Sequence, residues 1–256
     1  MSVTAATGFV AGGLACGIKD SGDPDLALVA TDDGRAVPAA GVFTTNLATA
    51  APVQVSKAHL AGGRAAAVVL NSGNANAATG EAGRRDAHRM CALAGAGLGV
   101  DPTDVLVCST GLIGIPLEMQ PIESGLPLLA SRLAAGGPAG AAAADAILTT
   151  DTVRKESVAT FEAFGATHTV GGMAKGAAML APAMATMLAV ITTDANVERP
   201  ALQAALTSAV AATFDTLIVD GCRSTNDTVL VLASGRAGGT RSRWGRARRT
   251  PLSPRP

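Results

Sequence analysis

Tyrosine is absent from this chain, tryptophan occurs once and phenylalanine five times. That scarcity leaves few stacking platforms for nucleic-acid bases and forces any core to be built from Ala, Val, Leu, Ile and Met. The four cysteines, Cys16, Cys91, Cys108 and Cys222, form no CxxC pair, and no histidine stands at zinc-ligand spacing from them. A disulfide framework and a structural zinc are therefore not expected, and reduced, buried thiols are. The opening MSVTAATGF has no basic segment followed by an apolar one, so no secretory signal is read and a cytoplasmic location is expected. Residues 176–193 are uncharged over about the length of a membrane span, yet they contain Pro182 and threonines and are rich in alanine rather than leucine. They read as a buried loop feeding a buried strand.

What is abundant points to a globular protein. The 256 residues are 48% hydrophobic and 16% charged, with 30 glycines and 13 prolines, enough for one large domain or two small ones with many tight turns. Net charge is zero but unevenly spread: residues 236–256 hold seven arginines and no acid, leaving an acidic body. Apolar runs bounded by Gly, Asp or Asn predict strands at 26–30, 41–43, 66–70, 105–108, 187–191 and 228–233. Helical patterns fall at about 82–95, 123–135, 139–148 and 200–213, the last with Asn196 upstream and Pro200 near its start. The mixture lacks the strict alternation of a doubly wound sheet and predicts a layered α/β protein without internal repeats. After Ser234 hydrophobic periodicity stops, and 236–256 reads as an unpacked, Arg-rich tail. GAGLG at 95–99 closes a predicted helix instead of opening one, which argues against a phosphate-cradling loop.

The segment KGAAMLAPAMATMLAVITTD, residues 175–194, carries the most chemistry. Thr186 alone is an ordinary strand-starting β-branched residue. If its hydroxyl attacks the Ala185 carbonyl, however, an N-to-O acyl shift gives an ester that water can cleave, freeing the Thr186 α-amine. Such an amine has a reference pKa of about 7.7–8.0 and can serve as base for its own hydroxyl. One residue then supplies both nucleophile and base.

KGAAMLAPAMATML resembles the self-cleavage segment of the ornithine acetyltransferase (glutamate N-acetyltransferase) family. Further motifs of that family follow in its order: GVFTTN at 41–46, NSGNANAATG at 71–80, CSTGLIG at 108–114, TTDT at 149–152, GGMAKG at 171–176 and STNDTV at 224–229. Ala78 stands where the family often has cysteine, and CRS at 222–224 replaces a more acidic turn.

The resemblance implies a layered α-β-β-α sandwich of the self-cleaving ornithine acetyltransferase and aminopeptidase type. It divides the chain into 1–185, carrying oxyanion-hole and substrate residues, 186–235, opening with the nucleophile, and the tail 236–256. Cleavage at Ala185–Thr186 exposes Thr186 as the catalytic nucleophile. Thr110 and Gly111 supply the oxyanion hole, since a tetrahedral intermediate needs donors aimed at its developing negative oxygen. Thr152, Lys175 and Thr186 contact substrate, the lysine and the Thr152 hydroxyl holding the amino acid's carboxylate and polar groups. Asp227 is read as a cap or turn residue outside the site.

The implied reaction moves acetyl from N2-acetylornithine to Thr186 and then to glutamate, with no metal or organic cofactor and with acetyl-CoA as a further co-substrate in some members. The implied partners are these small molecules and the cleaved segments themselves, paired into a heterotetramer; no nucleic-acid or membrane partner is implied. Family members continue well past STNDTV and there supply a substrate-binding glutamate and a C-terminal asparagine and hydroxyl residue, so a poorly folded or inactive product is one reading of this sequence. An aminopeptidase or amidase of the same fold, in which water takes the acyl group, is another. A non-catalytic small-molecule binding protein is the third.

Overall fold

The computed structural model describes residues 2–163, 165–177 and 187–239. In chain order the described elements are β1 (Phe9–Leu14), β2 (Leu26–Thr31), β3 (Val37–Phe43), α1 (Ala51–His59), β4 (Arg64–Ala65), β5 (Ala67–Asn74), α2 (Gly80–Leu98) and β6 (Val105–Leu112). They continue with α3 (Met119–Ala130), α4 (Gly137–Asp145), β7 (Lys155–Ala163), β8 (Ala166–Lys175), β9 (Leu188–Thr193), α5 (Arg199–Ala212) and β10 (Thr228–Ala233). One sheet has the order β1-β2-β5-β6, the other β4-β3-β10-β9-β8-β7.

The two sheets pack face to face because central strands such as β2 and β10 are buried on both sides and alternate between two cores. In β2, Ala27 and Val29 enter the core between the sheets, while Leu26, Leu28 and Ala30 face the layer that holds Val55 of α1, Met90 of α2 and Leu126 of α3. In β10, Leu230 and Leu232 point inward and Val229 and Val231 meet Leu202, Leu206 and Val210 of α5. The result is helices, sheet, sheet, helix, the four-layer sandwich expected. Burying a Leu or Val side chain fully contributes about 1.5–3 kcal/mol, so these cores outweigh any surface interaction.

Helix α4 enters at the sandwich edge, placing Ala143 and Ala144 in the central core. It approaches β1 closely: a Cβ at Gly13 would lie 2.1 Å from the Ala142 carbonyl oxygen. Only glycine at 13 allows that contact.

All six predicted strands and all four predicted helices are present, with shifted ends, notably α3, which starts at Met119. Unpredicted are β1, α1 and the long β7–β8 hairpin, paired from Lys155 opposite Ala174 to Ala163 opposite Ala166. The thiols depart from expectation at Cys222, which is exposed; Cys91 and Cys108 are buried. The start of the basic tail is packed: Arg236 bridges Asp32 and Asp33, and the Ala237 N–H donates to the Asp194 carbonyl at 2.9 Å. The remaining tail from 240, like Ala185 and Thr186, lies outside the described residues.

Candidate active site

Three strand ends meet at one end of the sandwich. Strand β6 delivers Thr110 and Gly111, β8 ends at Lys175, and β9 begins just after Met187. Lys175 is 2% exposed, its stem buried and its ammonium donating to the Thr149 hydroxyl at 2.7 Å and the Thr110 hydroxyl at 3.2 Å. An ammonium donating to a hydroxyl oxygen makes that hydroxyl a better donor of its own proton, as an oxyanion-hole group requires. Burial holds the Lys175 pKa below its ordinary value, and Asp151 opposes that shift.

Asp151 organises the other side of the lysine. Its Oδ1 accepts from the Gly176 N–H at 2.7 Å and from Lys155 Nζ at 2.5 Å, and its Oδ2 is 3.8 Å from Lys175 Nζ. Burial pushes its carboxyl upward, but the hydrogen bonds from Lys155 and the Gly176 N–H, with the Lys175 charge, more than reverse this and hold it below the usual carboxylate range. Thr152, the next residue, is exposed and makes none of these contacts. The structure thus brings Thr110 and Lys175 together and adds Thr149 and Asp151 from the TTDT segment, leaving Thr152 at the rim.

Gly111 has a φ of +134°, and a Cβ there would stand 2.3 Å from the Gly73 carbonyl carbon. The parallel β5–β6 ladder is irregular here, between Gly73 and Asn74. Close backbone approach at a bulge, not turn formation, requires this glycine.

STNDTV locks the site to both sheets. Asn226 Nδ2 donates to the carbonyls of Ala75 at 2.6 Å and Ser109 at 2.9 Å, and the Thr44 hydroxyl donates to the Ser224 carbonyl at 2.7 Å. Asp227, fully buried, accepts the Met187 N–H on Oδ1 at 2.7 Å, while the Thr228 N–H donates to the Met187 carbonyl at 3.1 Å. Oδ2 has no hydrogen-bond partner among the described residues, although the Ser224 hydroxyl lies near enough to favour the charged form. Burial dominates and pushes the Asp227 carboxyl up to about 7, against the lowering effects of the Met187 N–H, Ser224 and Lys175. The bland reading of Asp227 as a turn residue missed this. Its signal was an acid placed directly before a strand that is apolar after its first residue and buried throughout. Among the described residues no three His, Cys, Asp or Glu side chains gather where they could hold a metal ion.

A four-layer sandwich of this kind is also the fold seen among proteins of the Ntn-hydrolase fold class. An L-aminopeptidase D-Ala-esterase/amidase from Ochrobactrum anthropi, described as a variant of that class, shares the fold at a TM-score of 0.55 over 91% of this chain and 73% of its own, with 12% identity. The chain belongs to the ArgJ family, whose model matches residues 10–250. The arginine biosynthesis bifunctional protein ArgJ of Streptomyces coelicolor is 54% identical over 94% of this chain. The chain spans 61% of that relative's length. A solved ArgJ chain from Bacillus halodurans is 36% identical with a TM-score of 0.68, covering 73% of this chain and 95% of its own. An ornithine acetyltransferase from Mycobacterium tuberculosis, solved with ornithine bound, is 41% identical with a TM-score of 0.64, covering 73% and 96%.

Proposed function

We propose that this chain carries the self-cleaving, acetyl-accepting part of an ornithine acetyltransferase. Thr186, released from Ala185, takes acetyl from N2-acetylornithine as an ester and passes it to glutamate. The observation that carries this reading is the contact of Lys175 with Thr110 across the two sheets, next to the strand that Thr186 precedes. Thr110 and the Gly111 backbone N–H would receive the developing oxyanion, with the Lys175 ammonium polarising the Thr110 hydroxyl. The third N–H of that ammonium would meet the substrate carboxylate, and Thr152, exposed at the rim, would meet the incoming amino acid. The Thr186 α-amine would take the hydroxyl proton and hand it to the departing ornithine nitrogen as the ester forms, then take a proton from the attacking glutamate nitrogen and return it to the hydroxyl oxygen as the ester breaks. No metal or organic cofactor enters these steps.

Coverage of the solved relatives supports a cut. The matched 73% of this chain takes in 95% and 96% of those chains, about the share that residues 1–185 make of 256. A cytoplasmic location accords with a biosynthetic role, and no described helix is long and apolar enough to cross a membrane. The cleaved segments would stay associated through the β8–β9 and β3–β10 pairings, which join strands from either side of the cut in one sheet, and assemble further as a heterotetramer.

Intact mass of the purified chain tests the reading. Two fragments with a new N-terminus at Thr186, the second gaining one acetyl group on exposure to N2-acetylornithine and losing it to glutamate, are expected. Acetyl-CoA in place of acetylornithine tests the second donor. Thr186→Ala should remain one uncut chain without acetylation. A wild-type chain that stays whole and unacetylated overturns the proposal. Equal acetate release with and without glutamate makes water the acceptor and the protein an amidase.

A further inference from the structure

Residues 146–154, which carry Thr149 and Asp151 into the site, lie between α4 and β7 and belong to no helix or strand. With no ladder to hold them, the place of the Thr149 hydroxyl depends on side-chain contacts, and one of these reaches in from the four-stranded sheet. Lys19, in the loop between β1 and β2, donates from Nζ to the Leu148 carbonyl at 2.7 Å and to the Pro24 carbonyl at 2.7 Å. The Leu148 carbonyl and the Thr149 N–H share one planar peptide unit, so gripping the carbonyl fixes the plane from which the Thr149 side chain departs. The Lys19 loop is itself tightly held. The buried Asp25 carboxylate accepts four consecutive N–H groups, from Cys16 at 2.7 Å, Gly17 at 3.1 Å, Ile18 at 2.7 Å and Lys19 at 3.0 Å, and Gly17 at a φ of +104° lets the chain curl so that they converge. The Asp25 carbonyl accepts the Ser72 N–H at 2.8 Å, and the Ser72 hydroxyl donates to the Ala146 carbonyl at 2.7 Å, a second tie to the same segment.

We propose that Lys19 is a positioning residue for the candidate site: by clamping the Leu148 carbonyl it sets the Thr149 hydroxyl against Lys175 and so aims that lysine at Thr110. Thr149 takes one N–H of the Lys175 ammonium at 2.7 Å, and Thr110 receives another at 3.2 Å. A carboxylate attracts an ammonium more strongly than a hydroxyl does, and Asp151 Oδ2 stands 3.8 Å from the same nitrogen. Thr149 must therefore stay in place if Lys175 is not to turn toward Asp151 and leave Thr110. The Lys19 stem reaches Leu148 by crossing Gly73, where a Cβ would stand 3.1 Å from its Cγ. Its own bonds run to the two carbonyls, so it acts on Lys175 through Thr149. For its effect on acetyl transfer this inference rests on the proposed function; the contacts it describes do not.

The test is a double-mutant cycle on the full chain. Lys19→Met keeps the stem and removes the clamp, Thr149→Val removes the hydroxyl, and a third variant carries both changes. Single-turnover acetylation by N2-acetylornithine should fall at least about ten-fold in each single variant, and the double variant should be no slower than Thr149→Val alone, since both changes break one line of contacts. Lys19→Arg, whose guanidinium can also donate to two carbonyls, should recover most of the rate. In protein labelled with heavy nitrogen at its lysines, the Lys175 ammonium resonance, identified by its loss in Lys175→Met, should shift in Lys19→Met and in Thr149→Val, and no further when the two are combined. Rate losses that multiply in the double variant, or a Lys175 resonance that Lys19→Met leaves in place, overturn the proposal. So does a higher KM for glutamate with acetylation unchanged, which makes Lys19 a contact of the substrate instead. A wild-type chain that never takes acetyl ends the proposed function alone, and the Lys175 resonance then decides the role of Lys19.

Discussion

The Lys175 ammonium donates to the Thr110 hydroxyl across 3.2 Å, joining the end of β8 in one sheet to the end of β6 in the other. Lys175→Met keeps the length of the buried stem and removes the charge. Single-turnover acetylation by N2-acetylornithine should fall by about 10²-fold or more, the scale on which an oxyanion-stabilising group acts. The thermal unfolding temperature should change little, because Asp151 keeps Lys155 and the Gly176 N–H as partners. A large loss of stability with unchanged acetylation would show the lysine to be structural.

Asp151 makes the opposite prediction. Asp151→Ala strands the half-buried Gly176 N–H and costs about 1–3 kcal/mol. The carboxyl is ionised in the folded protein below its ordinary 3.8. Its contribution is therefore complete above pH 3.8 and fades as pH falls through the folded value. Urea melts at pH 7 and pH 3 should show the wild-type advantage at the first and a smaller one at the second.

Gly111→Ala should cost about 3 kcal/mol or more, because the new methyl would meet the Gly73 and Asn74 backbone and the φ of +134° is strained for any L side chain. Gly62→Ala is the matched control: nothing lies within 4 Å of its added Cβ, and the change should fall within about 1 kcal/mol of wild type. Paired denaturant melts measure both.

Asp227→Asn should stabilise the chain at pH 8. The unfolded carboxyl ionises near 3.8 and the folded one near 7, so between those values the folded state retains the extra proton and stability falls as pH rises. Replacing the carboxyl by a group that never ionises recovers on the order of 2–4 kcal/mol at pH 8 and nothing at pH 3.5. Melting curves at the two pH values would show the gain at one only.

The elements legible from sequence share one property. Strands such as β2 and β10 are buried on both faces, so their apolar runs stand out without knowledge of a partner. The β7–β8 hairpin is different: β7 is an edge strand with most of its side chains exposed or half-exposed, and Lys155, Glu156 and Glu162 break any run. Its strand character comes from pairing with β8, which no local window contains. The site divides the same way. Thr110, Gly111 and Lys175 sit in motifs with a recognisable order, and the structure joins the first and last of these by a hydrogen bond. Thr149 and Asp151 were hidden because Thr152 carried the motif's assigned role, and whether a TTDT hydroxyl faces inward depends on how the loop before β7 turns. Asp227 looked like a cap because local sequence cannot say that the N–H it accepts belongs to Met187, forty residues earlier.

Because Thr110 rides on one sheet and Lys175 on the other, neither half of the sandwich owns the geometry of the candidate site. Leu70 and Leu230, which both belong to the central core, are as much a part of it as the polar groups at the rim. Trimming either would let the layers slide and loosen a hydroxyl–ammonium contact that no chemical substitution had touched. In this architecture fidelity at the site is a property of how tightly two surfaces are pressed together.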